Sequence, residues 1–209
     1  RVTNLEERVV QAEGGELFET QNPAYAAFLA SARRAASAES VVLLRGESGT
    51  GKNVLARYIV SHGRRADRPF VSVQCSQLAG DQMLGALFGE GRTPGKLEEA
   101  GGGTLYLDEV GDLTPEAQAR LLRFLNDKSY QRVGDGTERS ADVRLIAATN
   151  RNLEEEVKSG KFREDLFFRL NVINLSLPSL RDRSEDILPL ANHFLVDERN
   201  KRFHHGSPL

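Results

Sequence analysis

The chain has no tryptophan, one cysteine and one methionine in 209 residues, and 7% of it is aromatic. A single thiol, Cys75, excludes an internal disulfide and any cysteine-rich metal site, so a reduced, cytoplasmic setting is expected. Cys75 follows an apolar run and reads as small core filler. No apolar run approaches the roughly 20 residues of a membrane span, so no membrane association is expected. The opening residues Arg1, Val2, Thr3 and Asn4 lack the apolar stretch of a secretory leader, and none is expected. A charge excess is missing too. Lys and Arg number 28 against 30 Asp and Glu, a net −2, whereas modules that grip nucleic acid usually carry a basic surplus. What is present, 39% hydrophobic and 28% charged residues, is ordinary globular composition for one large domain or a domain with an appendage.

Val2, Leu5, Val9 and Ala12 repeat at 3-4-3 spacing and predict an amphipathic helix over residues 1–14, either the tail of a coiled-coil linker or a simple surface helix. Gly14-Gly15 breaks it, and residues 15–209 form the main domain. There, short apolar runs alternate with helical patterns. The runs Val41–Leu44, Phe70–Val73, Leu105–Leu107, Val143–Ala148 and Val172–Leu177 are nearly continuous, as in a parallel sheet buried on both faces. Thr114-Pro115-Glu116 reads as a cap and first turn leading to Leu121, Leu122 and Leu125. Asn152 caps another helix closed by Gly160. Ser184 caps a third, with Ile187, Leu190, Ala191 and Phe194 as its buried stripe. The alternation predicts a three-layer α/β domain with a five-stranded parallel sheet sandwiched by helices.

Leu43-Leu44-Arg45-Gly46-Glu47-Ser48-Gly49-Thr50-Gly51-Lys52 feeds an apolar run into a glycine-rich loop that opens a helix. The glycines let backbone N–H groups turn inward on phosphate oxygens, the helix N-terminus adds its dipole, and Lys52 reaches the β- and γ-phosphates. The bland alternative is a strand-to-helix turn with no ligand. A second apolar run ends in Asp108-Glu109; the first carboxylate suits Mg²⁺ and the second a general base toward water. Thr149 and Asn150 end another run at the same sheet edge, where ligands of open α/β sheets bind. They would orient water or sense the γ-phosphate, or else lead into a helix cap. Arg163 and Arg169 straddle apolar residues. This is either a salt-bridged surface helix or a pair of arginines offered to a neighbour's γ-phosphate.

Several stretches together resemble one family: Gly46–Lys52, Gly102–Gly111, Arg132–Gly134, Asp142–Asn150, Phe162–Val172 and Leu177–Arg183. In this order they are similar to the central AAA+ P-loop NTPase domain of the bacterial enhancer-binding proteins, the ATP-driven activators of sigma-54 RNA polymerase. The resemblance runs from Leu17 to Phe194 and is nearest to response regulators of the alginate-control type. It implies an ATPase acting as a ring, a hexamer or heptamer when active and a dimer when inactive, that remodels the closed complex of the sigma-54 holoenzyme. Gly46, Glu47, Ser48, Gly49, Thr50, Gly51, Lys52 and Asn53 would hold ATP. Asp108 would hold Mg²⁺ with Asn53 or Thr50, and Glu109 would activate water. Thr149 and Asn150 would be the sensor, and Arg163 and Arg169 the arginine fingers. The linker helix would descend from a receiver domain. DNA would be bound only by a helix-turn-helix domain outside this chain, and the helical lid is largely absent.

Three departures from the family pattern stand out. Asn53 replaces a common Glu. Gln74 replaces an Asn that holds the catalytic Glu idle; its longer amide can still reach Glu109. After Leu87-Phe88-Gly89 the family continues His-x-x-Gly-Ala-Phe-Thr-Gly-Ala, the loop that contacts sigma-54, whereas this chain passes to Glu90-Gly91-Arg92-Thr93-Pro94-Gly95. Two explanations are open. One is a mobile loop lying between Gly89 and Glu90, which the clean junction favours. The other is a true deletion, as in family members that repress or act with the housekeeping polymerase.

Overall fold

A computed structural model describes residues 20–192, apart from residue 79, together with Leu195. The linker helix expected over residues 1–14 and Phe194 lie outside the described residues. The five apolar runs form one parallel sheet built from β1 (Val42–Arg45), β2 (Phe70–Gln74), β3 (Thr104–Asp108), β6 (Arg144–Thr149) and β7 (Ile173–Ser176), in the order β2-β3-β6-β1-β7. Each strand came within two residues of its expected bounds, because a strand covered on both faces needs apolar side chains at every position. Alternation along β1 shows the division: Leu43 enters one core cluster and Leu44 the other.

Helices α1 (Pro23–Ser37) and α2 (Lys52–Ser61) cover one face, where Leu55, Ile59 and Tyr106 are buried. On the other face lie α3 (Gly80–Phe88), α4 (Lys96–Glu99), α5 (Pro115–Asp127), α6 (Leu153–Lys158) and α7 (Glu164–Leu170), packed around Leu107, Phe124 and Leu166. Thr114 caps α5 by accepting from the Ala117 N–H at 3.3 Å, with Pro115 in the first turn, as its sequence signature predicts. Asn152 caps α6 and Gly160 follows its end at φ +73°, also as expected. Cys75 is fully buried, as its setting predicted.

One expectation is corrected. Ser184 caps nothing. It sits inside a 3₁₀ segment, Leu180–Asp186, and the stripe beyond it is not buried: Ile187 is 46% exposed and Ala191 is exposed. These residues border a cavity instead of a core. At the Gly89–Glu90 junction the chain makes a tight turn. The Gly89 N–H donates to Gly85 O at 2.9 Å, its carbonyl accepts from the Val133 N–H at 2.8 Å, and the Glu90 N–H donates to Thr93 O at 3.0 Å. The turn is so tight that a Cβ on Gly95 would lie 2.2 Å from Gly89 N. It is also laced to Val133, beside a small hairpin of β4 (Ser129–Tyr130) and β5 (Arg139–Ser140) that the sequence reading did not anticipate.

Order β2-β3-β6-β1-β7 sends the chain from interior β1 to one edge and, after β6, to β1's other side. Parallel strands deliver all five C-terminal ends to one edge, and the reversal beside β1 opens a crevice there.

A phosphate loop and a base-sized cavity

The loop leaving β1 is anchored where it begins: the Gly46 N–H donates to Thr149 O at 3.3 Å, and the Leu177 N–H donates to Arg45 O at 2.7 Å. Gly49 (φ +79°) and Gly51 (φ +94°) occupy left-handed backbone, which L side chains avoid. Gly51 is the N-cap of α2 and supplies no side-chain cap, so the first-turn N–H groups of a ten-residue helix face outward without a side-chain acceptor. Such an end attracts anions. Lys52 is buried at 6% exposure; its ammonium donates to Gly46 O at 3.0 Å and Glu47 O at 3.2 Å.

Glu109 lies in the same crevice. Its Oε1 is 3.5 Å from the Lys52 ammonium, and its Oε2 accepts from the Asn150 N–H at 2.9 Å. Its backbone is left-handed (φ 54°, ψ 57°), uncommon for a residue other than glycine and often found at functional sites. Asp108 ends β3 and accepts from the Glu109 N–H at 3.2 Å. Thr149 is fully buried, its hydroxyl accepting from the Arg151 N–H. The structure therefore brings Lys52, Asp108, Glu109, Thr149 and Asn150 together from the ends of β1, β3 and β6.

Four expected residues behave otherwise. Gln74 does not reach Glu109. Its amide donates to Ser76 Oγ at 3.2 Å, and the carboxylate is already held by Lys52 and Asn150. Asn53 is exposed, one residue into α2. Arg163 and Arg169 lie on α7 and its cap, both exposed. Arg163 is paired with Asp165 of its own chain (2.8 and 3.0 Å), which holds that carboxyl below its usual range. Arg169 has no ion-pair or hydrogen-bond partner among the described residues.

On one side of the loop a cavity of about 570 Å³ runs between Glu47–Gly51, Val54, Tyr25 and the segment Ser179–Ala191. Its size suits a small-molecule ligand. Arg183 stacks 4.0 Å over the Tyr25 ring, and burial raises the Tyr25 phenol. Arg181 pairs with Glu47 and lowers its carboxyl. Asp186 accepts from the Thr20 hydroxyl at 2.7 Å, tying the start of the described chain to this wall. None of Tyr25, Leu180, Arg181 and Arg183 was singled out from sequence. The signal for Tyr25 was the Asn22-Pro23 cap of α1, which places it one turn in; for the arginines it was only their place in Leu177–Arg183.

Nucleotide fits this site: free N–H groups, a buried ammonium and an adjoining cavity converge on one loop. Among the described residues no group of three or more His, Cys, Asp and Glu could hold a metal. Asp108 fits Mg²⁺, which commonly takes one or two carboxylates and completes its shell with phosphates and water.

Fold and loop together define a P-loop NTPase domain. A family model described as the Sigma-54 interaction domain matches residues 18–176. The alginate biosynthesis transcriptional regulatory protein AlgB of Pseudomonas syringae pv. tomato is 48% identical over 205 residues, covering 94% of this chain and 45% of the relative. The Nif-specific regulatory protein of Azospirillum brasilense is 48% identical over 177 residues, covering 80% and 28%. The crystal structure of NtrX from Brucella abortus in complex with ATP superposes with a TM-score of 0.80 at 40% identity, covering 84% of this chain and 42% of that one. The chain belongs to the Sigma-54 interaction domain family, the central AAA+ domain of the bacterial enhancer-binding proteins. It spans less than half the length of these relatives. None of its described helices is long and apolar enough to cross a membrane.

Proposed function

We propose that this domain binds ATP with Mg²⁺ on the Gly46–Asn53 loop and hydrolyses it, within a ring of copies that remodels the closed complex of sigma-54 RNA polymerase in the cytoplasm. The reading rests above all on Glu109, a carboxylate held in strained backbone between the phosphate-loop lysine and the Asn150 amide. The solved NtrX complex with ATP supports the choice of nucleotide.

The loop N–H groups and Lys52 would bind the β- and γ-phosphates. Negative phosphate oxygens compete with Glu109 for the ammonium and leave that carboxylate free to accept a proton from water. Asn150 and Thr149 would orient that water. Asp108, with the Thr50 hydroxyl or Asn53 beside the loop, would hold Mg²⁺, which supplies neutralisation of charge on the transferring phosphoryl group. Arg163 and Arg169 of a neighbouring copy would complete the site. DNA contact and the receiver-linked switch from dimer to hexamer or heptamer would belong to segments beyond this domain.

Glu109→Gln tests the chemistry: ATP binding should persist while turnover falls by at least about 100-fold. Unchanged turnover removes Glu109 from the mechanism, and calorimetry showing no heat with magnesium nucleotide removes the nucleotide itself.

The match to the Sigma-54 interaction domain speaks against a second reading, in which nucleotide drives assembly without sigma-54 contact. A pull-down of sigma-54 by the ATP-loaded protein separates the two: retention supports remodelling, and loss with intact ATPase activity supports the alternative.

A further inference from the structure

Across much of the surface, arginines are neutralised by carboxylates: Arg123 by Glu138, Arg151 by Asp112, Arg163 by Asp165 and Arg181 by Glu47. At one edge they are not. Arg33 and Arg34 near the end of α1, Arg57 in α2, and Arg64 and Arg68 in the loop before β2 meet no carboxylate among the described residues. Arg33 donates to the Tyr58 hydroxyl at 2.7 Å, Arg34 donates to Ser31 Oγ at 2.8 Å, and Arg57 stacks 4.8 Å over the Phe70 ring. None of these partners balances the charge. Glu39 and Asp142 are both taken by Arg65, at 2.8 and 2.9 Å, which leaves Asp67 as the one acid in that loop.

Packing gathers these residues. A Cβ on Gly63 would lie 2.8 Å from Ala36 O, so the loop after α2 is pressed on the end of α1. Both segments lead directly into strands, β2 and β1. The arginines therefore sit where the sheet's strands begin, a ten-residue helix, about 15 Å, away from the phosphate loop.

The chemistry of this edge selects its partner. Among the described residues, the large apolar side chains left in water lie elsewhere, at Phe168, Val172 and from Leu180 onward. Protein–protein contacts centre on an apolar core depleted of charge, whereas DNA is met by polar, strongly positive surface. Guanidinium forks match phosphate oxygens two at a time. The chain's net charge of −2 averages this edge away. We infer that the edge formed by Arg33, Arg34, Arg64 and Arg68 binds the phosphate backbone of duplex DNA without reading its sequence. The choice of DNA rests on the closed-complex reading above, in which a duplex is present; the unbalanced charge does not.

Anisotropy of two fluorescent duplexes of unrelated sequence, titrated with the whole chain, tests it. Both should bind alike, and log K against log salt should fall with a slope of about −3, the counterion release of three or four phosphates. Arg64→Glu with Arg68→Glu should weaken both duplexes at least about tenfold and flatten that slope by about 2. Arg64→Lys with Arg68→Lys keeps the charge and should stay within about threefold of the parent. Arg123→Glu with Lys128→Glu alters net charge equally on the opposite face. In about 0.1 M salt, which screens charges beyond about 10 Å, it should also stay within about threefold. Nucleotide affinity should be unchanged in all three. Duplex binding too weak to register, or equal losses in both glutamate variants, overturns the inference and leaves the nucleotide reading untouched. Displacement of the duplex by polyglutamate at matched charge overturns it too, by assigning the edge to an acidic protein. A parent chain that binds duplex but turns over no ATP supports the edge and removes the closed-complex reading instead.

Discussion

Single residues at this site hold conformations that a stable fold would not choose. Gly51 at φ +94° lets the first turn of α2 present its N–H groups. A Cβ there meets no atom within 4 Å, so any penalty for Gly51→Ala comes from the backbone, about 1–2 kcal/mol for left-handed geometry. We expect a lower thermal midpoint and nucleotide affinity reduced at least about tenfold; unchanged affinity would show that the loop keeps its shape without glycine. Cys75 is the counter-example of a reactive group made inert. Burial, with Asp108 nearby, pushes its thiol up to about 12, so the native chain keeps it protonated. The sign follows: a folded value above the unfolded one contributes stability at neutral pH that is lost as pH rises past the unfolded thiol's roughly 8.5. Urea titrations from pH 7 to 10 should show that loss in the native protein and a shallower one in Cys75→Ala. Alkylation of Cys75 should track unfolding, and fast labelling of the folded chain would contradict its burial.

Elements carry the next level. Leu107 is fully buried in β3, paired with Val73 and Ala147, and one residue before Asp108. Leu107→Ala should cost about 2–5 kcal/mol in denaturant unfolding; a loss below 1 kcal/mol would mean that the surrounding core collapses into the gap. The hairpin is held differently. Arg132 clamps Glu98 through two 2.7 Å contacts and lowers that carboxyl, so the clamp operates at neutral pH and weakens as acid protonates Glu98 below the usual carboxylate range. Amide exchange at Val133, which bonds Gly89 O, should accelerate over that acid range in the native protein, and Glu98→Gln should remove the dependence. The same elements show what the sequence could reveal. Strands buried on both faces announce themselves as continuous apolar runs, and capped helices such as α5 and α6 by Thr114 and Asn152. The β4–β5 hairpin, two residues a strand, has no periodicity to read, and its register depends on Arg132 meeting a helix 34 residues away. The stripe from Ile187 had helical spacing, but spacing cannot distinguish a core from a cavity wall. Lys52, Asp108 and Glu109 were legible because their spacing to the strands is fixed locally. That Glu109 idles on Lys52 and Asn150 rather than on Gln74 depends on tertiary distance alone.

At the scale of the whole molecule, the proposed roles of Arg163 and Arg169 require a second copy. Arg163 is spent on Asp165, while Arg169 projects from α7 without a partner among the described residues. Beside it Phe168 is 64% and Val172 57% exposed. Large apolar side chains left in water next to an unpaired cation mark a contact surface rather than a solvent face. If that surface meets a second copy, Arg169 acts on a phosphate it does not itself bind, and two kinds of damage become separable. Arg169→Ala should leave nucleotide affinity intact and lower turnover by about a thousandfold or more, the size of a supplied arginine's contribution. Glu109→Gln should do the same from the other side of the interface. Neither variant turns over alone. Mixed together, they place an intact Glu109 from one chain against an intact Arg169 from the other at a fraction of the junctions. The mixture should therefore regain activity, with a maximum near equal amounts. A mixture as inactive as its parts would mean that both residues serve the same copy, and the shared site would have to be abandoned.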